Sequence, residues 1–279
     1  MTEAGLTFFS VDDSGLFVGN DPARGPWMDD ACHGGPVTAL AARAFEKLLP
    51  DKMLTRITAE FLRPLPMEGF RVEAHVTREG RKMAAATAEV LDGDGKVCAR
   101  ASGMLIAEEN IGEVPTYPEP HIRLAEAVPG HFPVMPHPKA KPGFATFAEI
   151  AYPPGETMEP GATTLWMKTP PLLAGEDTSP IQRICPLADC GSGISRNMDF
   201  ADMSFMNCDL TIMIHRKPRS AWLASKSKSY WESSGIGLGH ATIMDEDGPV
   251  ATALQTLLLM PPKVTTELLT PKKSKLSAA

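Results

Sequence analysis

With 279 residues, 43% hydrophobic and 22% charged, the chain is long enough for one large or two medium domains with a sizeable buried core. Its net charge of -7 excludes a surface organised around nucleic-acid phosphates. Five cysteines, an odd count without a CxxC pair, point to a reduced, cytoplasmic protein rather than a disulfide scaffold.

At the N-terminus MTEAGLTFFSVDDSG lacks the basic-then-apolar order of a secretory signal, and no segment reaches the roughly eighteen uncharged apolar residues of a membrane span. The first element is a helix. His33-Gly34-Gly35-Pro36 opens VTALAARAFEKLL, Pro50 stops it, and Val37, Leu40, Ala41, Ala44, Phe45 and Leu48 form its apolar stripe. Strands follow. Ile57, Ala59 and Phe61 alternate with polar neighbours, as do Phe70, Val72, Ala74 and Val76. VLDGDGKVCARASGMLIA, from Val90 to Ala107, reads as strand, acidic glycine turn and strand.

That hairpin recurs. IMDEDGPVATALQTLLLM, from Ile243 to Met260, aligns with it at an offset of 153, placing Asp92, Asp94, Gly95 and Val97 on Asp245, Asp247, Gly248 and Val250. The same ungapped offset sets ITAEFLRPLP on LTIMIHRKPR and Arg63 on Arg216. A second, less regular helix is expected in SPIQRICPLADCGSGISRNM, ending or bending at Gly191 and Gly193. Residues 109–142 hold eight prolines and read as a connector. The expected division is a repeat over 1–108, the connector, a repeat over 143–263 and a flexible tail over 264–279. Each repeat is an α+β unit whose helix covers one face of an antiparallel sheet.

Other motifs are absent or fail on context. No GxSxG marks a serine elbow and no HExxH or CxxC marks zinc, so neither a metal nor a cofactor is expected. Gly235, Gly237 and Gly239 lie between strands and lack the spacing of a dinucleotide loop. Ser274-Lys275-Leu276 spells a peroxisomal address but is followed by three residues.

The order of elements, HGG at the first helix, GPWMDDACHGGP and NCDLTIMIHRKPRSAWL resemble double-hotdog acyl-CoA thioesterases of the thioesterase II type, over roughly residues 18 to 262. The resemblance implies two tandem hotdog repeats and hydrolysis of an acyl-CoA in lipid metabolism, with a homodimer as the implied assembly. A monomer stays open, because two units in one chain already mimic the usual pairing. It further implies an Asp, a Thr or Ser and a Gln holding a water, which by position are Asp189, Asn207 and Gln255. Asn207 departs from that pattern by lacking a hydroxyl. By the offset these three fall on Pro36, Leu54 and Ser102, so the first copy cannot build the same set.

In the expected chemistry Asp189 takes a proton from water, Asn207 and Gln255 hold that water, and Gly34 and Gly35 offer backbone N–H groups to the oxyanion. Other readings stand beside these: caps for Asp189 and Asn207, a solvated Gln255, and glycines that let the helix pack closely. His33 stands as a candidate second acid-base group but reads first as structural, and Arg63, Arg216 and Lys217 read as solvated strand ends rather than phosphate ligands. Asp189-Cys190-Gly191 is not the Asp-x-Asn-Pro-x-His run of hotdog hydratases, which leaves an enoyl-CoA hydratase third, behind a non-catalytic acyl-CoA binder.

Overall fold

The computed structural model describes residues 6–119, 121–133 and 141–261. The expected tail and the Ser274-Lys275-Leu276 triplet lie outside them.

A small hairpin, β1 (Phe9–Val11) and β2 (Phe17–Gly19), precedes helix α1 (Gly34–Leu48) and the strands β3 (Met53–Phe61), β4 (Arg71–Glu79), β5 (Met83–Leu91) and β6 (Val97–Ile106). The rest of the chain adds β7 (Val128–Gly130), α2 (Phe144–Phe147), β8 (Glu149–Tyr152), β9 (Thr163–Lys168), α3 (Pro180–Ala188) and α4 (Gly191–Ile194). It closes with β10 (Ser204–Asn207), β11 (Asp209–Ile214), β12 (Leu223–Trp231), β13 (Ile236–Asp245) and β14 (Gly248–Met260).

Among the described residues one 12-stranded antiparallel sheet runs β4-β5-β6-β3-β11-β14-β13-β12-β9-β8-β7, with β10 also on β14. The seam between copies is β3 against β11, where Thr58 stands opposite Thr211. The two copies of the acidic turn are built alike: Asp92 Oδ1 accepts from Asp94 N and Asp245 Oδ1 from Asp247 N, both at 3.0 Å. Gly95 and Gly248 supply the positive φ angles, 79° and 104°, that close these turns. This is the double-hotdog α+β fold.

Helices α1 and α3 lie side by side on one face of the sheet and run antiparallel. The start of α1 meets the end of α3, since a Cβ on Gly35 would fall 2.8 Å from Asp189 Cβ. At the other end Glu46 accepts from Ser179 Oγ at 2.9 Å and from Gln182 Nε2 at 2.7 Å. Burial drives the packing: Val37, Leu40, Ala41 and Phe45 of α1, and Ile181, Ile184, Cys185 and Leu187 of α3, are all buried in one core with Leu54, Ile57, Ile212 and Ile243. Leu48 departs from the expected stripe and is exposed; the chain leaves helical geometry at Leu49, which turns inward and is buried instead.

Two differences from the sequence reading bear on the site. First, strands and helices do not share one offset. The residue just before α1 is His33, which the strand offset would place on Pro186, inside α3; the residue just before α3 is Ser179, which caps it through a Ser179–Gln182 capping box. The spatial counterpart of Asp189 is therefore nearer Arg43 than Pro36. Leu54 remains the counterpart of Asn207, but Thr58 pairs with Ser102 where Thr211 pairs with Leu254, so the offset drops to 152 after the acidic turn and Gln255 falls on Gly103. Second, the proline-rich stretch does more than connect: Val128–Gly130 pairs with β8 at the sheet edge, where Pro129 can sit without breaking a ladder on both sides.

Candidate functional site

Asp189 follows the last residue of α3, and Cys190 precedes the first of α4. The helix breaks here because Gly191 and Gly193 lower helix propensity and let α4 drop onto the sheet, where Gly191 leaves only 3.3 Å between an added Cβ and Ala241 Cβ. The break turns the Asp189 carboxylate sideways, between α1 and β14. Its side chain is 2% exposed.

Three N–H donors converge on it. Asn207 Nδ2, at the end of β10, donates to Oδ1 at 2.5 Å. Gln255 Nε2, from the middle of β14, donates to the Asp189 carbonyl at 2.8 Å and to Oδ1 at 3.1 Å. His33 Nδ1 stands 2.9 Å from Oδ2. Gly35 N also lies 3.3 Å from His33 Nδ1, but one ring nitrogen cannot both carry a proton and accept one. The shorter contact decides: an unprotonated nitrogen would set its lone pair against a carboxylate, so the proton sits on Nδ1 and points at Asp189. The imidazole is held flat on Phe144, with ring centroids 4.4 Å apart.

Thus Asp189, Asn207 and Gln255, distant in sequence, form one hydrogen-bonded cluster, and His33 joins it. Their parts are unequal. A cavity of about 220 Å³ opens on Asp189, Asn207 and His33, flanked by Trp27, Phe144 and Phe205. Gln255 is not among its walls and is 2% exposed; both amide protons go to Asp189 and its oxygen accepts from Ser192 N at 3.1 Å. It cannot hold a water in the cavity as expected, because its donors are spent on aiming the carboxylate. Asp189 itself has three of its four acceptor positions filled, leaving one on Oδ2.

Gly34 and Gly35 also lie behind the cavity wall. A Cβ on Gly34 would strike the Phe61 ring at 2.6 Å, and one on Gly35 would strike Cys185 O, Pro186 Cα and Asp189 Cβ at 2.8 Å. Both glycines therefore serve close packing, and Gly35 lets α1 approach near enough for His33 to reach Asp189. The strand-end cations have partners within the protein: Arg216 grips Asp245 through both terminal nitrogens, at 2.8 and 2.5 Å, and Arg63 donates to Val97 O at 3.1 Å. Lys217 pairs with Glu108. Gly237 and Gly239 lie in β13, where Gly239 leaves room for Gln255 and Ser192.

His33 is the residue that sequence reasoning weighed as an acid-base group and set aside as structural. Its place before Gly34-Gly35 was legible; its distance from Asp189 depends on how two helices pack. Among the described residues no helix is long and apolar enough to cross a membrane.

Comparison with known proteins agrees with this architecture. The model of the acyl-CoA thioesterase N-terminal domain matches residues 23–106, and that of the acyl-CoA thioesterase C-terminal domain matches residues 126–259. No curated protein matches. Among solved structures, a putative thioesterase from Novosphingobium aromaticivorans superposes with a TM-score of 0.70 at 20% identity, covering 90% of this chain and 98% of that one. A putative thioesterase II from Thermobifida fusca gives 0.68 at 16% identity, over 93% and 97% of the two chains. An acyl-CoA thioesterase II from Mycobacterium marinum gives 0.60 at 18%, over 94% and 98%. At such identities these likenesses establish the fold. The two domain matches, in order and spanning most of the sequence, carry the assignment: the chain belongs to the acyl-CoA thioesterase family.

Proposed function

We propose that the protein hydrolyses an acyl-CoA to the free acid and CoA at the Asp189 cavity. The observation that carries this reading is the convergence of Asn207, Gln255 and His33 on one buried carboxylate beside an apolar cavity. The free acceptor position on Asp189 Oδ2 takes a water. As that water attacks the thioester carbonyl, its proton passes to Asp189, the C–S bond breaks, and the departing thiolate takes the proton back. Asn207 has a second amide proton and lines the cavity, so it is placed to hold the water or meet the oxyanion. Gln255 fixes the carboxylate and touches neither reactant.

One specific observation favours a second assignment of the base. With Nδ1–H bound to Asp189, the other nitrogen of His33 is an acceptor, and the ring lines the cavity. A carboxylate that orients an imidazole in this way leaves Nε2 free to take the proton.

Free thiol released from a panel of acyl-CoAs tests the function. Asp189→Asn should lower kcat/KM by about 10²–10⁴ while the fold is kept. Loss on the same scale in His33→Gln moves the base to the imidazole, and near-normal activity there keeps it on Asp189. Tight acyl-CoA binding without turnover in the wild type replaces the hydrolase with a binder.

A further inference from the structure

The walls of the cavity bear on which acyl group it accepts, an inference that rests on the hydrolase reading. We propose that the site takes compact acyl groups of up to about nine carbon atoms, flat aryl rings included, and rejects long straight chains.

Size is the first ground. An apolar protein cavity of about 150 Å³ takes a benzene ring, so a space of about 220 Å³ takes roughly half as much again, about nine carbon atoms. Wall chemistry is the second. Five of the described lining residues are aromatic: Trp27, Phe132, Phe144, Phe200 and Phe205. Leucine, isoleucine and valine are absent among those described, and the one long flexible apolar side chain is Met28. A tunnel for a long chain needs side chains that slide apart; rings with two torsions do so poorly.

Rigidity is the third. Phe144 is stacked between His33 at 4.4 Å and Phe8 at 5.9 Å, with Phe132 edge-on at 6.4 Å. Phe205 is likewise braced, by Phe200 at 5.8 Å, Trp231 at 5.7 Å and Trp27 at 6.1 Å. Two braced aromatic groups thus line the cavity on which Asp189 opens. Such a slot suits a planar group, which gains offset or edge-to-face contacts with them. Trp27 and Phe200 are half-buried and contact each other at 4.9 Å, so they bound the slot on its exposed side.

Two measurements separate this inference from the hydrolase reading. In the first, kcat/KM is compared for hexanoyl-, phenylacetyl- and dodecanoyl-CoA, with the first two expected to exceed the third by about a hundredfold. Trp27→Ala should narrow that gap by about tenfold by opening the outer wall. In the second, calorimetry on the wild type uses non-hydrolysable S-hexyl, S-phenethyl and S-dodecyl thioethers of CoA. The first two should bind at least about tenfold more tightly. Dodecanoyl-CoA turned over as well as hexanoyl-CoA overturns the size limit and leaves hydrolysis standing. Selective thioether binding without turnover of any ester overturns hydrolysis and supports the size limit. Equal binding of all three thioethers overturns the size limit whatever the turnover.

Discussion

Thr58 and Thr211 meet hydroxyl to hydroxyl at 3.1 Å across the β3–β11 seam, and they stand 153 residues apart, the offset at which the strands repeat. In an antiparallel pair related by a two-fold axis, only the residue on the axis faces its own equivalent. The internal symmetry axis therefore passes between these two side chains. A part-buried hydroxyl pair contributes about 1 kcal/mol. Thr58→Val and Thr211→Val should each lower stability by about that amount, and the double variant by little more than either. A double-mutant cycle in urea checks this, and full additivity would remove the bond from the account.

Gln255 acts on Asp189 and not on the ligand, which separates its effects on kcat and KM. Gln255→Leu removes the bonds to the Asp189 carbonyl and to Oδ1, and kcat should fall on the order of a hundredfold with KM little changed. A rise in KM of similar size would put Gln255 in contact with substrate.

Gly35 admits no side chain. Gly35→Ala brings a methyl within 2.8 Å of Asp189 Cβ, Cys185 O and Pro186 Cα, two of them backbone atoms that cannot swing aside. The helices must separate, at a cost of about 1–3 kcal/mol, and His33 must withdraw from Asp189. Denaturation and thiol release measured on one preparation should both fall; lost stability with unchanged turnover would free the chemistry from helix spacing.

The grip of Arg216 on Asp245 gives a pH signature. Burial raises the Asp245 carboxyl, but Arg216 and the backbone N–H groups of Arg219 and Asp247 more than offset it, so its pKa lies below the ordinary 3.8. A depressed pKa means stability present above 3.8 and lost as pH falls through the lower folded value. Arg216→Ala should cost roughly 2–3 kcal/mol at pH 7, the modest end for a buried carboxylate whose partner is 26% exposed. The gap between wild type and variant should close as pH falls below the ordinary 3.8 and through the lower folded value.

Much of this was written locally. Alternation in β3 and β4 and the two acidic turns were legible because a period of two and a positive-φ glycine are properties of a few adjacent residues. The helix offset was not, because a helix slides along its sheet without changing which of its residues are apolar. The Ser179–Gln182 box marked the true start of α3. Asp189, Asn207 and Gln255 could be picked out by resemblance, but the division of labour among them could not. Whether an amide faces a cavity or the back of a carboxylate depends on the break after Ala188 and the glycines beneath it. His33 shows the same limit, since its partner arrives only when two antiparallel helices touch.

The slip between helices and strands has a consequence for how such a chain can change. Two separate identical subunits would have to accept every substitution twice, once at each end of the helix pair. In the fused chain, the end where Glu46 meets Ser179 answers only for holding the molecule together, while the end at Asp189 is free to carry breaks and buried charge. One half can thus be hardened, residue by residue, to bear what the other half gives up.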